Sequence, residues 1–586
     1  MACRNPHGIP WTTHVHTAAL FLLASVLMPM EHHMAIAAGT GLQANYAKAG
    51  DTLDEAIGQQ LKRYGIHGIA VALVDDQRIV HLAGLGDAKP NSIFRAGSIS
   101  KLFNALAIMQ LVEQGKLDLD APIERYGQQF SIVNPFDGAP PISLRMLLCH
   151  RSGMIRESPV GGYLDPSQPA LAEMVASVRS CVLIDPPNTK TRYSNVGASI
   201  AGQIAFTVAG MPYEQLQQEK VLGPIGMTSS SFMTKGVPRE RLSAGYMRIA
   251  EGRGGFHEGE APVFDLGTLP AGNLWTTAED LAMFISMLAA DGRAGGKQIV
   301  SRKTLEEMWK PQLIAGDAGF GIAFRVGKFR NHKSVGHMGA VYGHTSSVAL
   351  LPESKIGVVL LSNEDIAIGP LVNLTNLALS LMVETKLGEK PPAPLVPREV
   401  ATSDLEPLAG DYESPSHWAR IDVVGGKLVG NIGGQPIELS PLGTPTGAAP
   451  DKSPVTAFVA NGRLLDDSPI SFDRDSSGQG IAFHAIEQKF TRLDPQAIPP
   501  IPPSWSEFTG VYGLDFIPLV ISVRHGHLYA SIENESDYRL MPVSRNAFLC
   551  PPGMYNEEPL LFLPDVSGKI HGANIANMYL TRRKGR

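Results

Sequence analysis

The sequence predicts an α+β domain followed by two antiparallel β-barrels. Three observations lead there. Strand–turn–strand patterns open and close the first part of the chain, with helical periodicity between them. Two proline-rich stretches interrupt the C-terminal part. On either side of the second stretch the same alternating pattern occurs twice.

In chain order, residues 1–37 read as an export signal. Arg4 supplies a thin charged start, the run from Ala18 to Met28 an apolar core, and Ala35-Ile36-Ala37 small residues for cleavage. The run is shorter than the roughly 20 residues a stable membrane span needs. The expectation is a periplasmic or secreted protein with no stable membrane span. Residues 38–390 form the first domain. Gly68 to Val74, the turn Asp75-Asp-Gln77 and Arg78 to Leu82 give one hairpin; Ser346 to Leu351, Pro352 to Lys355 and Ile356 to Leu361 give another. Between them, Ser98 to Gln114 carries apolar residues at Leu102, Leu106, Met109 and Val112 and stops at Gly115, the pattern of a helix. Thr276-Thr-Ala-Glu279 is a capping-box pattern opening a second helix at Asp280.

Residues 391–402 and 498–505 are proline-rich linkers, expected to be stiff and extended rather than strand or helix. They bound a first barrel, 403–497, and a second, 506–586. Leu408-Ala-Gly-Asp-Tyr412 recurs as Phe508-Thr-Gly-Val-Tyr512, Ile421 to Ile432 recurs as Ile521 to Ile532, and each copy ends in Thr-Arg, at 491–492 and 581–582. Apolar–polar alternation about a glycine-containing turn is a hairpin pattern, and closing such a sheet removes its edges. Both copies read as lipocalin-like barrels.

A formal net charge of -6 and the lack of a long basic run exclude nucleic acid as a partner. Four cysteines are too few for a disulfide scaffold. Cys3 falls in the signal, and Cys149, Cys181 and Cys550 read as isolated thiols, a Cys149–Cys181 bridge being the alternative.

The chemistry resides in three short motifs. Ser98-Ile-Ser-Lys101 places a hydroxyl and an amine about one helical turn apart. A lysine shifted toward neutrality can take the serine proton, and a helix N-terminus supplies N–H groups for an oxyanion. Tyr193-Ser-Asn195 adds a phenol able to act as base and then acid, and an amide that can bond the lysine and a substrate. Gly336-His-Met-Gly-Ala340 precedes the second hairpin, where a strand edge can hold a substrate backbone. His337 and His344 lack a third ligand at metal spacing, so no metal is expected. His150, beside Leu147-Leu148, reads as structural, and Asp75-Asp76 as a turn.

Together these motifs resemble the three signatures of the penicillin-recognising serine hydrolases, with Phe94 to Lys101, Leu147 to Gly153 and Leu269 to Leu281 as matching context. The similarity covers roughly residues 50 to 385 and is to class C β-lactamases, D-alanyl-D-alanine carboxypeptidases, D-aminopeptidases and related esterases. It implies a β-lactamase-like catalytic domain, Ser98, Lys101 and Tyr193 as catalytic residues, and Asn195, His337, Gly339 and Ala340 as substrate-binding, with the oxyanion held by the N–H groups of Ser98 and Ala340. No cofactor is implied. One motif departs: His337-Met-Gly339 stands where β-lactamases carry Lys-Thr-Gly, which weakens a carboxylate anchor and is similar to the D-aminopeptidase branch. The implied function is acyl transfer through Ser98 on small peptides or amides with D- or unusual residues, from cell walls or non-ribosomal peptides such as a linearised microcystin. An esterase or weak β-lactamase is an alternative, and so is a non-catalytic binding protein that holds a ligand in its barrels. In the D-aminopeptidase a barrel loop reaches the active site and restricts substrates to those with a free amine; residues 443–453 are the expected counterpart.

Overall fold

Uninterrupted apolar runs build the centre of the first domain. In the computed structural model, which describes residues 39–252, 255–312, 318–392, 395–445 and 456–584, seven strands form one sheet. They are β1 (Gly68–Asp75), β2 (Arg78–Gly86), β3 (Gly319–Phe320), β4 (Arg325–Phe329), β5 (His332–Val341), β6 (His344–Leu351) and β7 (Ile356–Ser362). Their order is β2-β1-β7-β6-β5-β4-β3, and every pairing is antiparallel. The expected signal, residues 1–37, lies outside the described residues. Among those described, no helix is long and apolar enough to cross a membrane.

The five longest helices among the described residues flank the sheet or fill the space beside it: α1 (Gly39–Tyr64), α2 (Ser100–Glu113), α3 (Asn195–Ala209), α4 (Ala278–Ala289) and α5 (Ile368–Leu387). Alternation along β1 divides the core. Ile69, Val71 and Leu73 pack with Leu53 and Ile57 of α1 and Leu371 and Leu374 of α5. Ala70, Ala72 and Val74 face the opposite core, with α2, α3 and α4. Both faces of β1 are thus buried, which is why it reads as a continuous apolar run. The second expected helix starts at Ala278, two residues before Asp280, and its cap falls one residue later than the capping box suggested. Thr277, not Thr276, is the cap, accepting from the Asp280 N–H at 3.1 Å, because the Thr276 hydroxyl is held by Ser230 at 2.7 Å.

Eight strands from Gly410–Glu413 to Gln488–Arg492 form a closed antiparallel barrel. Pairing of Gln435–Pro445 with Ala457–Asn461, and of the first strand with the last, closes the ring. The proline-rich stretch before it is not purely a connector: Leu395–Pro397 adds a short strand at Leu442–Pro445. An outer strand tolerates proline because its missing N–H faces no partner. The second copy forms sheets of four and five strands, joined by a bridge between Tyr512 and Arg582. The repeated residues do the same work twice. Tyr412 and Tyr512 each donate to the carbonyl four residues earlier, Leu408 and Phe508, at 2.7 Å. Arg492 and Arg582 tie the final strand to the chain just before that tyrosine. Phe458, Phe472, Phe483 and Phe490 fill the first barrel, so it is a packed core rather than a ligand cup.

The second copy is packed onto the first domain. Met247, Ile249, Phe264, Val341 and Tyr342 share one core with Phe508, Leu519, Phe548 and Phe562. At roughly 1.5–3 kcal/mol for each large side chain fully buried, such a shared core holds the two as one body.

Candidate active site

A short 3-10 turn, Gly97–Ile99, precedes α2 and carries Ser98; the expected helix starts at Ser100 rather than Ser98. The turn is locked. The Ser100 hydroxyl donates to Gly97 O at 2.6 Å and accepts from Leu274 N at 2.9 Å. Gly97 has φ 53, and a side chain there would meet Ala340 N at 2.8 Å. Gly339 backs onto Ala96 in the same way, where an added Cβ would lie 2.0 Å from the Ala96 carbonyl. Two glycines therefore let β5 approach the Ser98 turn. β4 ends opposite Gly336, so among the described residues His337 to Val341 pairs only with β6. That leaves a free edge, whose Ala340 and Val341 line a cavity of about 180 Å³ together with Ser98 and Asn195.

The three motifs meet. Tyr193 OH lies 2.7 Å from Ser98 Oγ, and Lys101 Nζ lies 3.1 Å from it. Lys101 also donates to Asn195 Oδ1 at 2.6 Å and to Ala271 O at 2.8 Å. Burial pushes the Lys101 amine below the usual lysine range, against the pull of Tyr193. As a neutral amine it has two N–H donors, matched by Asn195 and Ala271, and a lone pair left for Ser98. The arrangement can therefore strip a proton from Ser98 through either neighbour. Asn195 is itself fixed by Glu157, a residue sequence reasoning missed, which accepts from its amide. Burial raises the Glu157 carboxyl to about 7.

His337 is buried beside this group. Its Nδ1 lies against Met338 O, which makes Nδ1 the donor and leaves Nε2 a buried acceptor with no partner. Burial, then Lys101 and Arg325, push it down to about 3. It is neutral at any working pH and repels no cation. His150, read as structural, packs at a tilt of 31° against the Tyr193 ring with centroids 4.2 Å apart, at a left-handed φ of 60, and accepts from Ser194 N at 3.2 Å. Cys149, Cys181 and Cys550 are free and buried. Among the described residues one group has metal-ligand spacing, His67, Glu258 and Glu364. Arg463 already pairs with Glu364 at 2.6 Å, so an inter-domain ion network accounts for it.

The far wall of the cavity comes from both C-terminal copies: Leu464 from the first, Glu533, Glu535 and Met554 from the second. Of the loop expected to reach the site, 446–453 lie outside the described residues. Glu533 is engaged by Arg156 at 3.8 Å and by the Tyr555 hydroxyl. Glu535 Oε2 is buried with no partner. Neither glutamate was legible, because an acidic turn in a distant hairpin ordinarily faces solvent.

These carboxyls give the fold a pH signature. Burial raises Glu157, Glu535 and Glu558 to about 7 and Asp365 to about 8. Each keeps its proton in the native state at a pH where unfolded Asp and Glu, near ~4, have lost theirs. That stabilisation is complete below about pH 4 and is lost as pH rises through 7 to 8. The apparent unfolding midpoint is expected to be roughly 2–4 °C higher at pH 6 than at pH 8.5 by scanning calorimetry.

A family model described as Beta-lactamase matches residues 53–378. "Beta-lactamase-like protein 2" of Dictyostelium discoideum is 28% identical over 337 residues, covering 54% of this chain and 59% of that protein; this chain thus spans less than two thirds of that relative's length. "Penicillin-binding protein 4" of Amycolatopsis lactamdurans is 27% identical over 369 residues, 59% of this chain and 93% of that protein. The octameric penicillin-binding protein homologue from Pyrococcus abyssi superposes with TM-score 0.52 at 22% identity, over 83% of this chain and 99% of that one, which establishes likeness of fold.

Proposed function

This chain belongs to the beta-lactamase family of serine hydrolases, and on that premise we propose that it is an exo-acting amidohydrolase that removes an aminoacyl group bearing a free amine. Ser98 attacks the carbonyl as its proton passes to the Lys101–Tyr193 pair, which act as one coupled unit. The N–H groups of Ser98 and Ala340 hold the oxyanion, Tyr193 returns a proton to the leaving amine, and water releases the acyl group.

The observation that carries this reading is the unpartnered Glu535 oxygen on the wall of the cavity that holds Ser98. A buried carboxylate without a partner is costly unless a cation completes it. Neutral His337 stands where a lysine would attract the carboxylate of a β-lactam, and the cation on the cavity wall, Arg156, is already faced by Glu157 and Glu533. The cavity, about 180 Å³, suits one residue; an engineered cavity of about 150 Å³ takes a benzene. Leu266, Ile366, Ile368, Leu464 and Met554 give it apolar sides, suited to an apolar side chain beside the amine. His-x-Gly and the two C-terminal barrels are the features similar to D-aminopeptidases, and they favour D- or otherwise unusual residues in short cell-wall or non-ribosomal peptides. Export to the periplasm or medium fits such substrates.

The test is a side-by-side rate comparison on a D-aminoacyl p-nitroanilide, its N-acetyl derivative, a p-nitrophenyl ester and nitrocefin. The free-amine amide should be turned over at least about 100-fold more efficiently than the blocked one. Equal rates on the two would remove the amine from the reading, and faster nitrocefin hydrolysis would favour the β-lactamase alternative.

A further inference from the structure

Arg156 has a contact set unlike that of any motif residue. Its guanidinium lies over two tyrosine rings, 5.4 Å from the Tyr193 centroid and 5.5 Å from that of Tyr555. Glu157 lies 3.9 Å and Glu533 3.8 Å from Nε. These are ion-pair distances longer than hydrogen bonds, and Nε is buried without a hydrogen-bond partner. Stacking and charge, rather than directed bonds, therefore set where the group lies. The backbone does the same service. Arg156 N donates to Glu558 Oε1 at 2.8 Å. Its carbonyl accepts from Asn195 N at 2.9 Å and Val196 N at 3.3 Å, the first N–H groups of α3. These contacts fall in two groups: the Tyr193–Val196 segment with its support Glu157 on one hand, and Glu533, Tyr555 and Glu558 of the second C-terminal copy on the other.

We propose that Arg156 is a positioning residue through which the second C-terminal copy holds Tyr193 and Asn195 in register with Ser98. That copy is on this view part of the catalytic device, since its Tyr555 ring and Glu533 carboxylate clamp a cation that also seats the Tyr193 ring. A tyrosine free to slide on that cation loses its short approach to Ser98, and a displacement of about 1 Å at a reacting group can cost roughly 100-fold. This inference rests on the assignment of Ser98 and Tyr193 made above.

The experiment measures labelling of Ser98 by a fluorophosphonate, with steady-state kinetics and unfolding midpoints, in the full chain. Unlabelled wild type would defeat the Ser98 assignment itself, whatever Arg156 does. With wild type labelled, Arg156→Ala should slow labelling and kcat by roughly 100-fold with KM within a few-fold, and Arg156→Lys should recover part of the loss by restoring charge without the flat stacking surface. Tyr555→Leu should slow labelling by roughly 10-fold. The double variant should be no slower than Arg156→Ala alone, since both changes break one clamp.

A pH profile separates positioning from mere support. The titratable groups facing Arg156 include Glu157, Glu533, Glu535, Tyr193, Tyr538 and Tyr555, with Glu558 on its backbone and Lys101 and His150 beyond Tyr193; those facing Lys101 include Tyr193, Glu157, Arg156, His150 and His337. Behind burial, which dominates, the guanidinium also helps to hold the Lys101 proton affinity down. Its removal should move the acidic limb of labelling to higher pH. Folded Arg156→Ala that labels within about 3-fold of wild type, or losses that add in the double variant, would overturn the proposal. Should Arg156→Ala not fold, Arg156→Lys with Tyr555→Phe, which keeps both charge and ring, carries the same cycle.

Discussion

Ser98→Ala is expected to lower turnover of a free-amine amide by about 10⁶-fold, the loss seen when the nucleophile is removed from a serine hydrolase, and to abolish fluorophosphonate labelling. Two side chains converge on this hydroxyl, at 2.7 Å and 3.1 Å, and one cavity opens onto it. The oxygen is not needed for the fold. The turn that carries it is locked by Ser100, and Lys101 keeps Asn195 and Ala271 as partners when Ser98 is gone. The unfolding midpoint should therefore stay within a few degrees, surface and partly exposed positions usually costing under about 0.5 kcal/mol. Tyr193→Phe and Lys101→Ala should each cost nearly as much as Ser98→Ala, and the pair little more than either, because groups that pass one proton act as a unit. Residual activity above a hundredth of wild type in pure Ser98→Ala protein would move the nucleophile elsewhere.

Legibility in the sequence was local. Ser98 and Lys101 could be placed together because three residues make about one turn, even though the turn proved to be 3-10 at Ser98. The hairpin of β1 and β2 was legible because two largely apolar runs flank a polar turn at Asp76. The paired C-terminal copies were legible because the chain repeats itself, down to the tyrosine that bonds four residues back in each copy; the first closes into an eight-strand barrel, and the second folds into sheets of four and five strands. The capping box slipped by one residue because two threonines are adjacent and only the fold gives Thr276 another partner in Ser230. The far wall of the site was illegible for a different reason. Arg156 and Glu558 are separated by 402 positions, and no local pattern distinguishes a buried Glu533 or Glu535 from the solvated acids of other hairpin turns. His150 was read as structural for want of any signal that its ring would meet Tyr193, which lies on a separate segment.

Glu535→Gln should erase the preference for a free amine. The turn Glu533-Asn534-Glu535 is held where it is at some conformational expense: Glu533 and Asn534 adopt φ 55 and 58, a left-handed conformation that Glu seldom takes. Asn534 pins it, its side chain accepting from Ala250 N and donating to Phe516 O, each at 3.0 Å. Of the carboxylates on the cavity wall, Glu533 is engaged by Arg156 and Tyr555, and Asp365 accepts from Arg248 N at 3.1 Å. Glu535 alone of these three leaves a buried oxygen unpartnered. Glutamine keeps its shape and removes its charge, so the turn should survive. Losing one member of a buried ion pair costs about 3–5 kcal/mol, so KM for the free-amine substrate should rise by more than about 100-fold. The N-acetyl substrate, which brings no cation, should be unaffected or improved. The pH dependence adds a second reading. With burial holding the free carboxyl near about 7, wild-type KM should fall as pH rises through that value, while Glu535→Gln should be flat there. If the variant keeps wild-type KM and its slope, Glu535 does not bind the amine, and a site whose recognition lies on the β5 edge alone would describe the chemistry better.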